Sequence, residues 1–198
     1  PTPVILHAVD IPNAYAPTPA HPGDSIESLT LQPTRYALDL FESLEGMNVE
    51  VDDARVVGPT DKYHELWITA KPSQNPTPRG GTIYLNYNHP NSGRLQIQSL
   101  IPLSQHPFPQ ASVGDHLTGS TIGPLDYNRF GGYTLMATNL GTYQSGGIKP
   151  DVARPAKPNE LSLATYNVEN LTAGNSAKKF ARLAEAVVNN LATPDIIA

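Results

Sequence analysis

Two sets of side chains in this sequence have types and spacing suited to chemistry: aromatics with arginines near them, and histidines set singly in turns. Trp67, Tyr84, Tyr87, Tyr127 and Tyr133 recur through segments that read as strands, and Arg94 and Arg129 stand among them. Aromatic faces stack on bases while arginines neutralise phosphates, so Tyr84, Tyr87, Arg94, Tyr127, Arg129 and Tyr133 are candidate nucleic-acid contacts. Half-buried packing is the alternative for tyrosines that alternate along a strand. His7, His21, His64, His89, His106 and His116 are scattered, with no pair at metal-ligand spacing. No nucleophile-elbow motif supports a serine hydrolase triad. Cysteine is absent, which excludes a disulfide framework, a thiolate zinc site and a cysteine nucleophile.

The formal net charge is −5, against a protein that coats nucleic acid through bulk positive charge. An enzyme that grips nucleic acid locally, through a few arginines and a metal ion, stays open. The charge is uneven: Asp24, Glu27, Asp39, Glu42, Glu45, Glu50, Asp52, Asp53 and Asp61 face only Arg35 and Arg55 across residues 24–61. Such a run is either a solvated acidic face or a site for a cation or partner. No apolar run approaches the length needed to span a membrane.

The elements that must position these residues are mostly short strands. Hydrophobic residues make up 39% and charged residues 16%, with 20 prolines and 15 glycines, so connecting loops are abundant. Residues 1–24 read as an apolar strand over Val4 to Val9 and a Pro-rich connector. SLTLQP alternates like a half-buried strand, whereas RYALDLFESLEG fits a short helix or an irregular strand equally. MNVEVDDARVVG, HELWITA, GTIYLNYN (81–88) and GRLQIQSLI (93–101) read as further strands. Residues 113–139 carry short strands with tight turns, and Asn128 to Gly132 form a hairpin tip. This spacing predicts a small sandwich or barrel over 25–139. Residues 140–160 lack periodicity and read as an inter-domain linker.

After the linker the pattern changes. LSLATYNV reads as a strand, Asn175 or Ser176 as a helix cap, and Phe180, Leu183, Ala184, Val187, Val188 and Leu191 as one apolar stripe of a helix. Pro194 ends it, and DIIA opens another strand. Strand, helix and strand make a βα unit that feeds a larger α/β sheet.

ATYNVENL, the amphipathic helix and PDIIA together resemble the opening of the endonuclease/exonuclease/phosphatase family, in the form found in large bacterial extracellular nucleases. LEGMNVEV, HELWIT, GRLQIQ and VGDHLTGSTIGPLDYNRFGGYTLMATN resemble the OB-like β domain that precedes the catalytic domain in those nucleases; His64 stands where that pattern has glycine. The likeness covers roughly residues 38–198. It implies a mainly β chain: an OB-like barrel or sandwich over 25–139, then a truncated βαβ start of an α/β phosphoesterase domain over 161–198. It implies that Asn167 lies at the metal and phosphate site. A carboxamide there offers a donor and an acceptor without adding charge; the alternative role of Asn167 is to cap the following turn.

The resemblance further implies a secreted or cell-surface bacterial hydrolase that cleaves phosphodiester bonds. It would use a divalent metal, Mg²⁺ first, with Ca²⁺ or Mn²⁺ as alternatives. Its partners are nucleic acid and its own catalytic domain. The family's metal-binding Glu has no counterpart here, so the chain itself is expected to hold no metal and to be inactive. The natural sequence is expected to extend beyond Pro1 and Ala198. The competing expectation is a non-catalytic β module for carbohydrate, cell surface or a protein partner, joined to a phosphatase-like domain. In either case 161–198 are expected to dock on the β domain, pair with another molecule or be loosely ordered.

Overall fold

The computed structural model describes residues 2–198. The chain divides into one compact unit running to Ile148 and a second over Lys149–Ala198.

The first unit is mainly β. Its strands are β1 (Val4–Ile5), β2 (Asn48–Gly58), β3 (Leu66–Thr69), β4 (Arg94–Ser99), β5 (His116–Asn128), β6 (Gly132–Ala137) and β7 (Thr142–Gln144), with one helix, α1 (Ala37–Ser43). Neighbours run β1-β2-β3-β4-β6-β5-β7, and a further pairing of β2 with β5 closes β2, β3, β4, β6 and β5 into a five-stranded barrel. All pairs around the barrel are antiparallel except β4 with β6.

Inward alternation builds the core. Val49 and Val51 of β2 point inward, then Asp53 adopts a positive φ of 47° at a register shift, and Ala54 and Val56 resume the inward face. The extra residue at this bulge preserves one buried face along an eleven-residue strand and tightens its twist. Leu66, Ile68, Leu95, Ile97, Leu117, Leu125 and Leu135 complete the interior. Ala37 and Phe41 of helix α1, with Leu44 at its C-cap, join this core; the Phe41 ring lies 5.5 Å from that of Tyr133. The Gly46 N–H donates to the Leu125 carbonyl, bonding the chain just after α1 to β5.

Several expected elements differ. The first strand is Val4–Ile5 only. SLTLQP forms no strand; a 3-10 turn at Ile26–Ser28 and irregular chain take its place. β2 is paired by β5 over Asn48 to Arg55, by β3 over Arg55 to Gly58 and by β1 at Val49 and Glu50, and among the described residues SLTLQP joins no strand. Residues 81–88 are likewise outside the sheet, with one isolated bridge, Pro76 to Thr82. That loop is held at its base by buried Asn91, which donates to the carbonyls of Lys71 and Gln74 and accepts from Thr69. RYALDLFESLEG resolves as helix. The linker is shorter than expected, because β7 pairs with β5 within it. His64, after β2, has φ 63°, the left-handed region that favours glycine.

In the second unit β8 (Leu163–Ala164) and β9 (Ile196–Ile197) pair in parallel, with α2 (Ala177–Asn189) between them in the chain. β8 is far shorter than the strand expected over LSLATYNV. Ser176 caps α2, its Oγ accepting the Lys179 N–H at 3.3 Å. Ser162 donates from both N–H and Oγ to Asp195, joining the start of β8 to the approach to β9. Among the described residues no helix is long and apolar enough to cross a membrane.

Candidate functional site

A cleft of about 710 Å³ opens in the first unit beside α1. Its tyrosines come from four places in the chain. Tyr15 lies in the N-terminal segment, Tyr87 in the β3–β4 loop, Tyr127 near the end of β5 and Tyr133 in β6. Hairpin register sets Tyr127 opposite Tyr133, with ring centroids 5.3 Å apart and an edge-to-face arrangement. Tyr15 and Tyr87 meet edge to face at 6.3 Å. Ile26, Leu29, Leu31 and Leu38 supply apolar lining.

Carboxylates share this wall: Glu27 from the 3-10 turn, Asp39 and Glu42 from α1, and Glu45 just beyond it. Asp39 is buried and accepts the Gln32 N–H at 2.8 Å. Glu42 accepts the Tyr133 hydroxyl at 2.5 Å. Burial, and next this carboxylate, hold the Tyr133 hydroxyl protonated far above the ordinary tyrosine range. Burial also raises Tyr15, with Tyr87 adding to the effect and Arg94 opposing it. No lysine or arginine lines the cleft.

The predicted nucleic-acid contacts therefore separate into groups. Tyr87, Tyr127 and Tyr133 share the carboxylate-bearing cleft. Tyr133 is 6% exposed, with Phe41 and Tyr127 against its ring, so it supports the wall from behind. Tyr87 and Tyr127 remain 57% and 54% exposed. Arg94 stands instead over Trp67 on the neighbouring strand, 5.4 Å from the ring centroid. Arg129 lies 4.8 Å over Phe130 at the β5–β6 hairpin tip. Tyr84 is exposed in the β3–β4 loop.

Asn167 is exposed, three residues after β8. Its Oδ1 accepts the Glu169 N–H at 2.9 Å, and Glu169 and Asn170 follow with φ of 52° and 54°, so the carboxamide braces a tight turn. A concavity of about 590 Å³ in this unit is walled by residues flanking and within β8, and by Arg154 and Glu160, which are joined at 2.6 Å. Asn167 does not line it. Among the described residues no group of three or more His, Cys, Asp or Glu is placed to hold a metal ion.

The barrel unit has relatives. The chain belongs to the DUF8508 family, a domain of unknown function. The match spans residues 4–145, from the start of β1 to the residue after β7. No curated protein and no solved structure matches the chain.

The family boundaries include Tyr15, Glu27, Glu42 and Glu45, which sequence reasoning had not joined to the tyrosines. Tyr15 sits in a segment read as connector, and the carboxylates in a run read as one acidic stretch. Their only sequence signal is that acidic run beside an aromatic-bearing region.

Proposed function

We propose that the barrel is an OB-like module of a metal-dependent nuclease or related phosphodiesterase, contacting nucleic acid through its arginine–aromatic pairs. The supporting observation is the closure order. Numbered within the barrel, the strands run 1-2-3-5-4 and back to 1, with the third and fifth parallel, a closed five-stranded barrel that supports the OB-like reading. In such barrels the second and third strands present a ligand face, and here those strands carry Trp67 and Arg94. Arg129 with Phe130, and exposed Tyr84, extend the surface. Tyr87 and Tyr127 fit a phosphate strand less well, because the carboxylates beside them repel it.

The second unit is read as the opening of the phosphoesterase domain, on the ATYNVENL and PDIIA resemblance and the parallel pairing of β8 with β9. Asn167 would orient a phosphate or a metal-bound water there. One neutral carboxamide does not hold a divalent ion, and the described residues offer no cluster to complete the site.

The test is a titration of the whole chain with a labelled single strand longer than about 16 nucleotides, the upper site size of one such barrel. Saturable binding with a negative log–log salt slope is expected. The double substitution Arg94→Ala, Arg129→Ala should reduce the slope's magnitude by about 1.4, the single-strand value for two phosphate contacts. Absence of binding at low salt would overturn the nucleic-acid role of the barrel. Cleavage by this chain that EDTA abolishes would overturn the reading that it lacks a complete metal site.

A further inference from the structure

The tyrosine cleft carries a chemistry that nucleic-acid contact does not use. We propose that it binds a small organic ammonium ion on an aliphatic stem. Tyr15, Tyr87 and Tyr127 present aromatic surface, with Tyr133 behind them. The negative face of an aromatic ring attracts a cation, and the attraction grows as the cation loses water.

Charge selects the same ligand. Of the carboxylates in the wall, two already accept hydrogen bonds from the protein, whereas Glu27 and Glu45 are exposed and have no ion-pair partner among the described residues. No basic residue lines the cleft. Arg94, whose charge reaches Tyr15, is held over Trp67 outside the wall. An anion entering here meets uncompensated carboxylates at short range, while a cation meets attraction from both the acids and the rings. The apolar part of the lining receives the methylenes of the stem. The inference stands apart from the proposed nucleic-acid surface, since the two sites use opposite charge.

The experiment titrates the whole chain, at low and high salt, with butylammonium, spermidine and tetramethylammonium, and with 1-butanol as the neutral control. Binding is followed by amide chemical-shift changes. Saturable binding of the ammonium ions is expected, with 1-butanol at least about tenfold weaker. The double substitution Glu27→Gln, Glu45→Gln should weaken the ammonium ions about tenfold, the loss of two partly solvated charge contacts, and leave 1-butanol unchanged. Both glutamates are exposed, so the variant keeps its thermal midpoint. A preference for spermidine over butylammonium identifies a multivalent amine, whereas tighter binding of tetramethylammonium than of butylammonium would overturn the aliphatic stem. Equal binding of 1-butanol, unchanged ammonium affinity in the double variant, or no saturation by any ammonium ion at millimolar concentration would each overturn the proposal.

Discussion

The carboxylate of Asp115 accepts the N–H groups of Ser112 and Gly146, each at 2.7 Å, and the Tyr143 hydroxyl at 3.2 Å. Burial pushes this carboxyl up, but these donors, with Ser145, outweigh burial and hold its pKa below the usual value of 3.8. A carboxyl depressed in the folded state adds stability above its unfolded pKa and loses that stability as the pH falls through its folded pKa. Chemical denaturation at a series of pH values should therefore show Asp115→Asn less stable by about 1–3 kcal/mol near neutrality. The gap should narrow as the pH falls below about 4, where the unfolded carboxyl protonates before the native one, and level off once the native carboxyl also protonates. A gap that is constant from neutral to strongly acid pH would contradict this role. Asp115 appeared in the sequence only as part of V-G-D. Nothing near it shows that its donors include Gly146, since those two residues meet through β7.

At the scale of elements, β5 carries the barrel's closure. It pairs with β2 over Pro124 to His116 and with β6 from Leu125 onward, so it passes from one neighbour to the other near Gly123. A Cβ at Gly123 would lie 2.0 Å from the Met136 carbonyl oxygen, a backbone atom that cannot rotate away. Gly123→Ala should lower stability by about 1–3 kcal/mol, read as a fall in the denaturation midpoint. Gly119→Ala is the contrasting control. It meets open space, so its penalty comes from its positive φ of 74° alone. If Gly123→Ala is as stable as the native chain, β5 does not make the close crossing described. The hairpin tip at Asn128 to Gly132 was legible because turn residues act within a few positions. The strands expected at SLTLQP and 81–88 failed for the converse reason: alternation marks a segment fit for a sheet without supplying an edge to join.

At the scale of the whole molecule, the core of the first unit is drawn from all its barrel strands and α1. In the second unit Leu183 is the buried hydrophobic residue of α2, while Phe180 and Val188 remain substantially exposed. A chain ending at Ile148 should keep near-ultraviolet dichroism and a cooperative unfolding transition. The separate peptide 149–198 should show little amide-exchange protection, because one short helix and two two-residue strands cannot bury enough apolar surface to offset chain entropy. A cooperative transition in that peptide, or its absence in the barrel chain, would refute this division.

The sequence by itself determined the local grammar: Val49 and Val51 on one face of β2, Leu66 and Ile68 on one face of β3, the hairpin tip, and the apolar stripe of α2 with a cap at Asn175 or Ser176. Each is written within one or two turns of chain, where backbone sterics and side-chain direction act directly. Only the tertiary structure decided which edges pair. It joined Val49 to Gly123 to close the barrel, drew β7 out of the expected linker, and brought Tyr15, Tyr87 and Tyr127 to one cleft with Glu27 and Glu45. Those contacts join residues far apart in the chain. The hydrophobic effect that drives them is non-directional, so pattern marks what must be buried, and the closed sheet alone decides against what.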